Sequence, residues 1–562
     1  MKPDIRWQLL LAAAGLGLVL ALLSYQVQTA GLCSVSVPAA GGALTEGLVG
    51  APQYLNPLLA AGNPIDRHLT NLLFDGLTHT DENGRLTPVL ASTWTVSEDG
   101  RQVTFQLRDD VQWHDGRPVT TADVAFTYGL LQDSAFSGPP NLTAWWQAQN
   151  LLWSSVAITV TNQTEITFGL AEPYAPFLDA TTLGILPAHR LEGVTAATLS
   201  TDAFNQFPVG TGPFQVAPDG DWRQSGRLRL LPNPTHWREG TKLDGLELAF
   251  YPNEESLLAA YQSGELHAIT SVSPVGLPAV AATPATRLFT SPAPRYSQLL
   301  FNLGDTGAPA ARSLAVRQAL AYALNRETLV DEVLNGQALP LDGPYLPSSW
   351  AYQPGLLTPY PFQPASATAL LEQEGWLTAE GSPTRQKEGQ PLHLRLVLAD
   401  DPTQRAVGQF IAQQWAAVGA TVELLPVPPA QLRESLATRL FDVALVDVEP
   451  PGDPDLYDFW SQEAIIRGQN YGGWNHRRAS EALENGRQLW NVDERRPYYQ
   501  AFVRFYNDNL PALTLYQYVY TYAISERVNQ VEIGRLAQPR DRYETLADWF
   551  LLYRDVTVSC ES

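Results

Sequence analysis

Arg101-Gln-Val-Thr-Phe-Gln-Leu-Arg-Asp-Asp-Val-Gln-Trp-His-Asp-Gly-Arg-Pro-Val-Thr-Thr-Ala-Asp-Val124 changes its hydrophobic period part-way along, and that change decides the fold class. Polar and apolar residues alternate from Gln102 to Arg108, the period of two of a half-buried strand. From Thr120 the pattern turns helical. Thr120 or Thr121 is the N-cap, Asp123 lies near the positive end of the helix dipole, and Val124, Phe126, Tyr128 and Leu131 are apolar. Outward from this pair, Val156 to Leu170 repeats the strand pattern, and Ala311 to Leu334 reads as the longest helix, ended by Gly336. Ala365–Gly375 (helix), Leu392–Leu398 (strand), Thr403–Val418 (helix) and Thr421–Pro426 (strand) continue the alternation. The chain is therefore expected to be α/β.

A length of 562 residues exceeds the ~250–300 at which one core stops growing, so several lobes are expected. The 36 basic and 58 acidic residues leave a net charge of −22, and the only lysines are Lys2, Lys242 and Lys387. Nucleic acid is excluded as a partner, because binding it needs clustered cations. A hydrophobic content of 45%, with 15 Trp, 22 Tyr and 19 Phe, excludes wholesale disorder.

Leu9 to Leu23 is an apolar run behind Lys2 and Arg6. It reads as an export signal or as a retained membrane anchor, and either sends the remaining chain out of the cytoplasm. Small residues precede Cys33, but Leu32 departs from the small residue that a lipidation site has before its cysteine. The Ser/Val/Pro/Ala/Gly-rich stretch from Cys33 to Ala43 reads as a linker. Cys560 is the only other cysteine. The two thiols either pair across nearly the whole chain or stay free, and mass spectrometry of the non-reduced protein decides between these.

Reactive constellations are missing from the sequence. Lys242 does not complete a phosphate-binding Walker loop, and there is no Gly-x-Ser-x-Gly elbow or His-Glu-x-x-His pair. The eight histidines stand singly. The paired acids Asp109-Asp110, Glu254-Glu255 and Asp400-Asp401 read as loop or cap charges, and Gly210-Thr-Gly212 reads as a tight turn. No cofactor or metal is expected, and binding is favoured over catalysis.

Several segments, in order, carry a resemblance. They include Leu72-Leu-Phe-Asp-Gly-Leu-Thr78, Leu86-Thr-Pro-Val-Leu-Ala-Ser-Thr-Trp94, Trp113-His-Asp-Gly116, Gly210-Thr-Gly-Pro-Phe214, Lys242-Leu-Asp-Gly-Leu246, Val316-Arg-Gln-Ala-Leu-Ala-Tyr-Ala-Leu-Asn-Arg326 and Leu370-Leu-Glu-Gln-Glu-Gly-Trp376. Together they closely resemble the family 5 extracellular solute-binding proteins, the oligopeptide-, dipeptide- and nickel-binding subunits of ATP-driven importers. The resemblance implies a class II periplasmic-binding-protein-like fold, with two large lobes around a ligand cleft and an extra small lobe. Lobe I would take about 44–80, 205–300 and 525–562, lobe II about 81–204 and lobe III about 301–524, after an N-terminal 1–43. Hinge closure would bury a peptide, or alternatively a sugar or other solute, for delivery to a membrane permease; a membrane-anchored sensor is a further alternative.

The implied ligand contacts are Tyr54, Asn56, Asn302, Asp447, Glu449, Asn470, Trp474 and Tyr516. The family's acidic anchor for a peptide amine falls on Pro450 here, which leaves Glu449 or Asp447 to take over the charge. A substitution of Glu449 by Gln should weaken peptide binding if that residue is the anchor.

Overall fold

The computed structural model describes residues 3–29, 32–81, 84–218, 222–238, 240–378, 381–536 and 539–559. The strand and helix expected from Arg101–Val124 are present as Gln102–Leu107 and Thr121–Gln132. Asp123 fixes the helix start by accepting the Thr120 N–H at 2.9 Å, and it also accepts the Ala188 N–H at 2.9 Å. The stretch from Val156 to Leu170 is two strands, Ala157–Val160 and Glu165–Gly169. Asn162 turns the chain between them by accepting the N–H groups of Thr164 and Glu165.

The strands that organise the molecule are β1 (Leu32–Ala39), β2 (Ala43–Val49), β3 (Phe214–Val216), β4 (Arg227–Pro232), β5 (Gly245–Tyr251), β6 (Ala268–Ile269), β7 (Thr286–Phe301), β8 (Ala338–Pro340), β9 (His393–Ala399), β10 (Thr421–Val427), β11 (Val443–Val448), β12 (Ala512–Ser525) and β13 (Leu552–Ser559). A single sheet runs β10-β9-β11-β7-β12-β6-β2-β5-β4-β3, with β8 also on β12. At one end β2 is parallel to β5 and β6; at the other β9 is parallel to β10 and β11. β7 is antiparallel to both β11 and β12.

Two lobes hang on that sheet, each with its own interior. One holds Leu44, Leu48, Phe105, Tyr128, Trp153, Phe168, Leu246 and Tyr522. The other holds Leu299, Phe301, Leu320, Leu396, Trp415, Leu445 and Leu515. β7 and β12 belong to both, and the change of core falls inside them rather than at their ends. Register shifts occur in β7 between Pro292 and Tyr296 and between Ser297 and Gln298. Pro292 and Pro294 have no N–H to give to a ladder, so the pairing weakens where the chain passes from one lobe to the other.

Two expectations are corrected. Ala311–Leu334 is not one helix: it breaks into Pro309–Arg312, Leu314–Tyr322 and Arg326–Thr328, the last running on into a wider turn over Leu329–Val333. Ser313 and Asn325 each cap a new start, which competes with continuing the previous helix. The stretch read as a linker is mostly strand, because its Ser-Val-Ser-Val alternation lets β1 pair with β13, from Leu32 opposite Ser559 to Ala39 opposite Leu552. Cys560, and with it any pairing to Cys33, lies outside the described residues. Pro3–Thr29 is a helix with Leu16, Leu18, Leu20 and Leu22 exposed, and among the described residues no helix is long and apolar enough to cross a membrane.

The aromatic surplus goes into the interiors. Tyr128 stacks on Trp153 at 4.0 Å with Phe168 edge-on, and Trp460, Trp474, Phe502 and Tyr506 form a second aromatic cluster. One charged knot is also buried. Glu46, on β2, accepts from Arg542 at 2.5 Å, Tyr543 at 2.7 Å, Thr270 at 2.5 Å and Tyr522 at 3.1 Å. Burial, with the Arg542 charge, holds the adjoining His68 imidazole well below its usual pKa, so it stays neutral beside the guanidinium. Removing one member of such a knot leaves a buried charge unmatched. Glu46→Ala is expected to cost about 3–5 kcal/mol in urea unfolding followed by circular dichroism, whereas Arg67→Ala, at a half-exposed ion pair, should cost less than about 1 kcal/mol.

Candidate functional site

In α/β sheets, ligands sit at the carboxyl ends of the parallel strands. Here β2 ends at Val49-Gly50 in one lobe and β11 at Val448-Glu449 in the other. At the crossing between lobes, the register puts Ser297 opposite Asp447 on one side and opposite Tyr516 on the other. Directly opposed residues share a sheet face, so these three side chains form a row. Tyr518 lies two residues along β12 from Tyr516, and Arg295 two residues before Ser297 on β7.

Asp447 is the centre of this row. It accepts from the Tyr518 hydroxyl at 2.9 and 3.0 Å and from Gln404 Nε2 at 3.0 Å. Gln404 comes from the helix Pro402–Ala416, whose N-cap Asp401 accepts its N–H at 2.9 Å. The Tyr518 ring carries the Arg295 guanidinium at 4.0 Å. Asp447 is open to solvent yet walled in by protein. Burial pushes its carboxyl above the usual carboxylate range, against the Arg295 charge and the bonds from Tyr518 and Gln404. Burial also raises the Tyr516 and Tyr518 phenols, with the Asp447 charge adding to both, so they remain donors.

β11 pairs with β7 along its whole length but with β9 only at Val443 and Ala444. From Leu445 to Val448 its second edge meets no strand among the described residues. Beyond this open edge, Glu449 forms an ion pair with Arg67 at 3.2 Å, joining the two lobes at the rim. Further on, the Asp179 carboxylate of the other lobe lies close against Gly452. A Cβ on Gly452 would lie 2.4 Å from Asp179 Oδ1, so glycine is required for this approach. Asp453 pairs with Arg495 at 2.6 Å, and Asp455 with Arg487 at 2.8 Å. Arg487 reaches the Tyr174 hydroxyl at 3.1 Å, and Trp490 Nε1 donates to the Gly100 carbonyl at 3.1 Å.

The expected site residues divide between these surroundings and the interior. Asp447 and Tyr516 stand in the row, Tyr516 buried and Asp447 accessible. Glu449 is at the rim, engaged by Arg67 rather than free for a ligand amine. Tyr54 is half-buried, its N–H held by Asp66 at 3.0 Å. The other four are structural. Asn56 is fully buried against Asn205 at 2.9 Å; Asn302 ties Thr306, Arg439 and Phe441 together; Asn470 clamps Ser461 and Trp474; Trp474 is 3% exposed. The three asparagine side chains are bonded within the protein, and Trp474 packs among Trp460, Phe502 and Tyr506. Arg295, Ser297, Gln404 and Arg67 were not anticipated. The period of two through Tyr516 and Tyr518 puts both on one face, and an arginine beside two prolines in an interior strand was the available signal for Arg295.

Three other features lie apart from this row. A cavity of about 480 Å³ is lined by Gly50, Pro52, Trp222, Arg223 and Tyr251 at the ends of β2 and β5. His79, Asp541 and Glu544 bring metal-type donor atoms within 4.8 Å of one another, but each has further partners. Gly210 and Gly212 pass so close to the Leu73 and Leu72 carbonyls that a Cβ at either would clash at 1.8 or 2.4 Å.

Residues 85–464 match the family model described as bacterial extracellular solute-binding proteins, family 5 Middle. The chain is 24% identical over 482 residues to the oligopeptide-binding protein AppA of Bacillus subtilis, covering 84% of this chain and 85% of the relative. It is 27% identical over 383 residues to the nickel-binding periplasmic protein of Escherichia coli, covering 66% and 68%. The solved structure of Bacillus subtilis AppA with a nonapeptide superimposes with a TM-score of 0.73 at 22% identity, over 92% of this chain and 100% of that one.

Contact between the lobes is expected to depend on pH through Asp179. Burial, and then the Asp453 charge, push its carboxyl from 3.8 to about 7; moving the lobes apart returns it toward the ordinary value. The joined form thus binds more protons than the separated form between these two values, and joining weakens as pH rises through that window, by at most about tenfold per pH unit. Small-angle X-ray scattering of the ligand-free protein from about pH 5 to about pH 8 should show expansion with rising pH, and a shallower trend in Asp179→Asn.

Proposed function

The chain belongs to the bacterial extracellular solute-binding proteins of family 5, and on that premise we propose that it is the substrate-binding subunit of an ATP-driven importer whose cargo is a peptide. The open edge of β11 from Leu445 to Val448 carries the cargo assignment. An extended peptide added along a strand edge gains main-chain hydrogen bonds whatever its side chains, which suits a carrier of mixed sequences. The similarity to an oligopeptide-binding relative along most of both chains supports the same reading. Glu449 can serve a peptide amine only by leaving Arg67. A half-exposed pair of this kind is worth no more than about 1 kcal/mol, so the exchange is not costly.

In this reading the protein works outside the cytoplasm. The two lobes close on the peptide by bending at the β7–β12 crossing, and the closed form docks on a permease. The protein carries cargo and performs no chemistry on it. Native mass spectrometry of the purified exported chain should show a carried-over mixture of short peptides. Bound sugars, with no peptide raising the melting temperature, would contradict the reading.

A further inference from the structure

Strands Ala91–Val96, Gln102–Leu107, Ala157–Val160 and Glu165–Gly169 form a sheet of their own. Its Val103, Phe105 and Phe168 share one interior with Leu44 and Leu48 of β2, so this unit is fused to the β2 lobe and is carried with it. Between the end of β7 and the start of β12, residues 302–511, Trp490 is the only apolar side chain among the described residues that packs against this interior. The helices on either side of it, Arg477–Arg487 and Val492–Asn509, bury Leu483, Tyr499 and Phe502 in the opposite lobe. Trp490 therefore reaches across from one lobe to the other.

Its seat is built to receive it. Trp490 Nε1 donates to the Gly100 carbonyl at 3.1 Å. Gly100 has a φ of +70°, and a Cβ there would lie 2.7 Å from Trp490 Nε1 and 3.1 Å from the Pro173 side chain, so the indole fits against bare backbone and a proline. Beside it the Ala175 N–H donates to the Arg487 carbonyl at 2.9 Å, and Arg487 donates to the Tyr174 hydroxyl at 3.1 Å. The Arg487 guanidinium lies over the Tyr174 ring at 4.8 Å and the Tyr457 ring at 4.2 Å, one from each lobe, and Asp455 holds it at 2.8 Å.

Bending at the β7–β12 crossing moves one interior away from the other, and the Trp490 contact has to break with it. We propose that Trp490, seated on Gly100 and Pro173, is a latch that sets the balance between closed and open lobes. It acts from the four-stranded sheet and stands apart from the Asp447 row and the β11 edge. The proposal rests on closure at the crossing, and it is the same whether the cargo is a peptide or another solute.

The Ala175 amide reports the latch, because its hydrogen bond crosses between the lobes. The Leu170 amide, bonded to the Arg101 carbonyl at 2.7 Å, and the Asn302 amide, bonded to the Asp442 carbonyl at 3.0 Å, each stay within one lobe and report folding. Hydrogen exchange at these three amides is compared in the full chain as isolated, for wild type, Trp490→Ala, Trp490→Phe and Gly100→Ala. In wild type Ala175 should be protected, yet exchange faster than Leu170 and Asn302, since lobes part without unfolding. Trp490→Ala should speed exchange at Ala175 about 10- to 100-fold and leave the other two amides unchanged. Trp490→Phe should have a smaller effect, and Gly100→Ala, which crowds the indole from the other lobe, should loosen Ala175 as Trp490→Ala does.

Exchange at Ala175 as slow as at Leu170 in wild type would make the contact a permanent joint and overturn the latch. Unprotected exchange there would overturn it as well, since the contact would then not form in solution. Unchanged protection of Ala175 in a well-folded Trp490→Ala has the same consequence. If Trp490→Ala unfolds, seen as all three amides loosening together, Gly100→Ala and Trp490→Phe decide: Ala175 loosened alone upholds the latch, and Ala175 unchanged in both overturns it. The peptide reading stands or falls separately, on the cargo found by native mass spectrometry.

Discussion

β7 and β12 pair through both lobes, and every contact between the two interiors has to accommodate that shared pair. Their ladder keeps the sheet continuous, while Pro292, Pro294 and the two register shifts loosen it where the cores change. The side chains on one face of this crossing, Arg295, Ser297, Asp447, Tyr516 and Tyr518, are brought together by register rather than by sequence proximity. A ligand that touches this face contacts the place where the lobes can bend, so binding and closure are coupled by geometry.

Charge is handled differently in the lobes and at the crossing. Within a lobe, buried ions are closed into complete sets, as Glu46 is with Arg542, Tyr543, Tyr522 and Thr270, or Asp453 with Arg495. Such sets are worth little net stability, but breaking one is costly. At the crossing, Asp447 is matched while Arg295 keeps its donors open. The overall charge of −22 therefore says little about the ligand.

The fold class was legible because period and capping are local properties. Thr120 with Asp123, and the alternation through Val103, Phe105 and Leu107, need no distant partner to be read. Ser313 and Asn325 showed the limit: each looks polar-faced on a helix, yet each ends one helix by capping the next. β1 was read as a linker because its partner, β13, lies at the far end of the chain. At the site, Asp447 and Tyr516 were legible as polar and aromatic ends of segments resembling family motifs. Asn56, Asn302, Asn470 and Trp474 resembled them equally well, but their bonding partners become visible only in three dimensions. Arg295 was missed because its place over the Tyr518 ring follows from the pairing of distant strands, which no local pattern reports.

Hydrogen exchange read by mass spectrometry, with and without bound peptide, tests the central claim most directly. Amides on the outer edge of Leu445–Val448 should gain protection on binding, while those already paired with β7 change little. Protection at the Gly50–Pro52 and Trp222 cavity instead, with the β11 edge unchanged, would contradict the account.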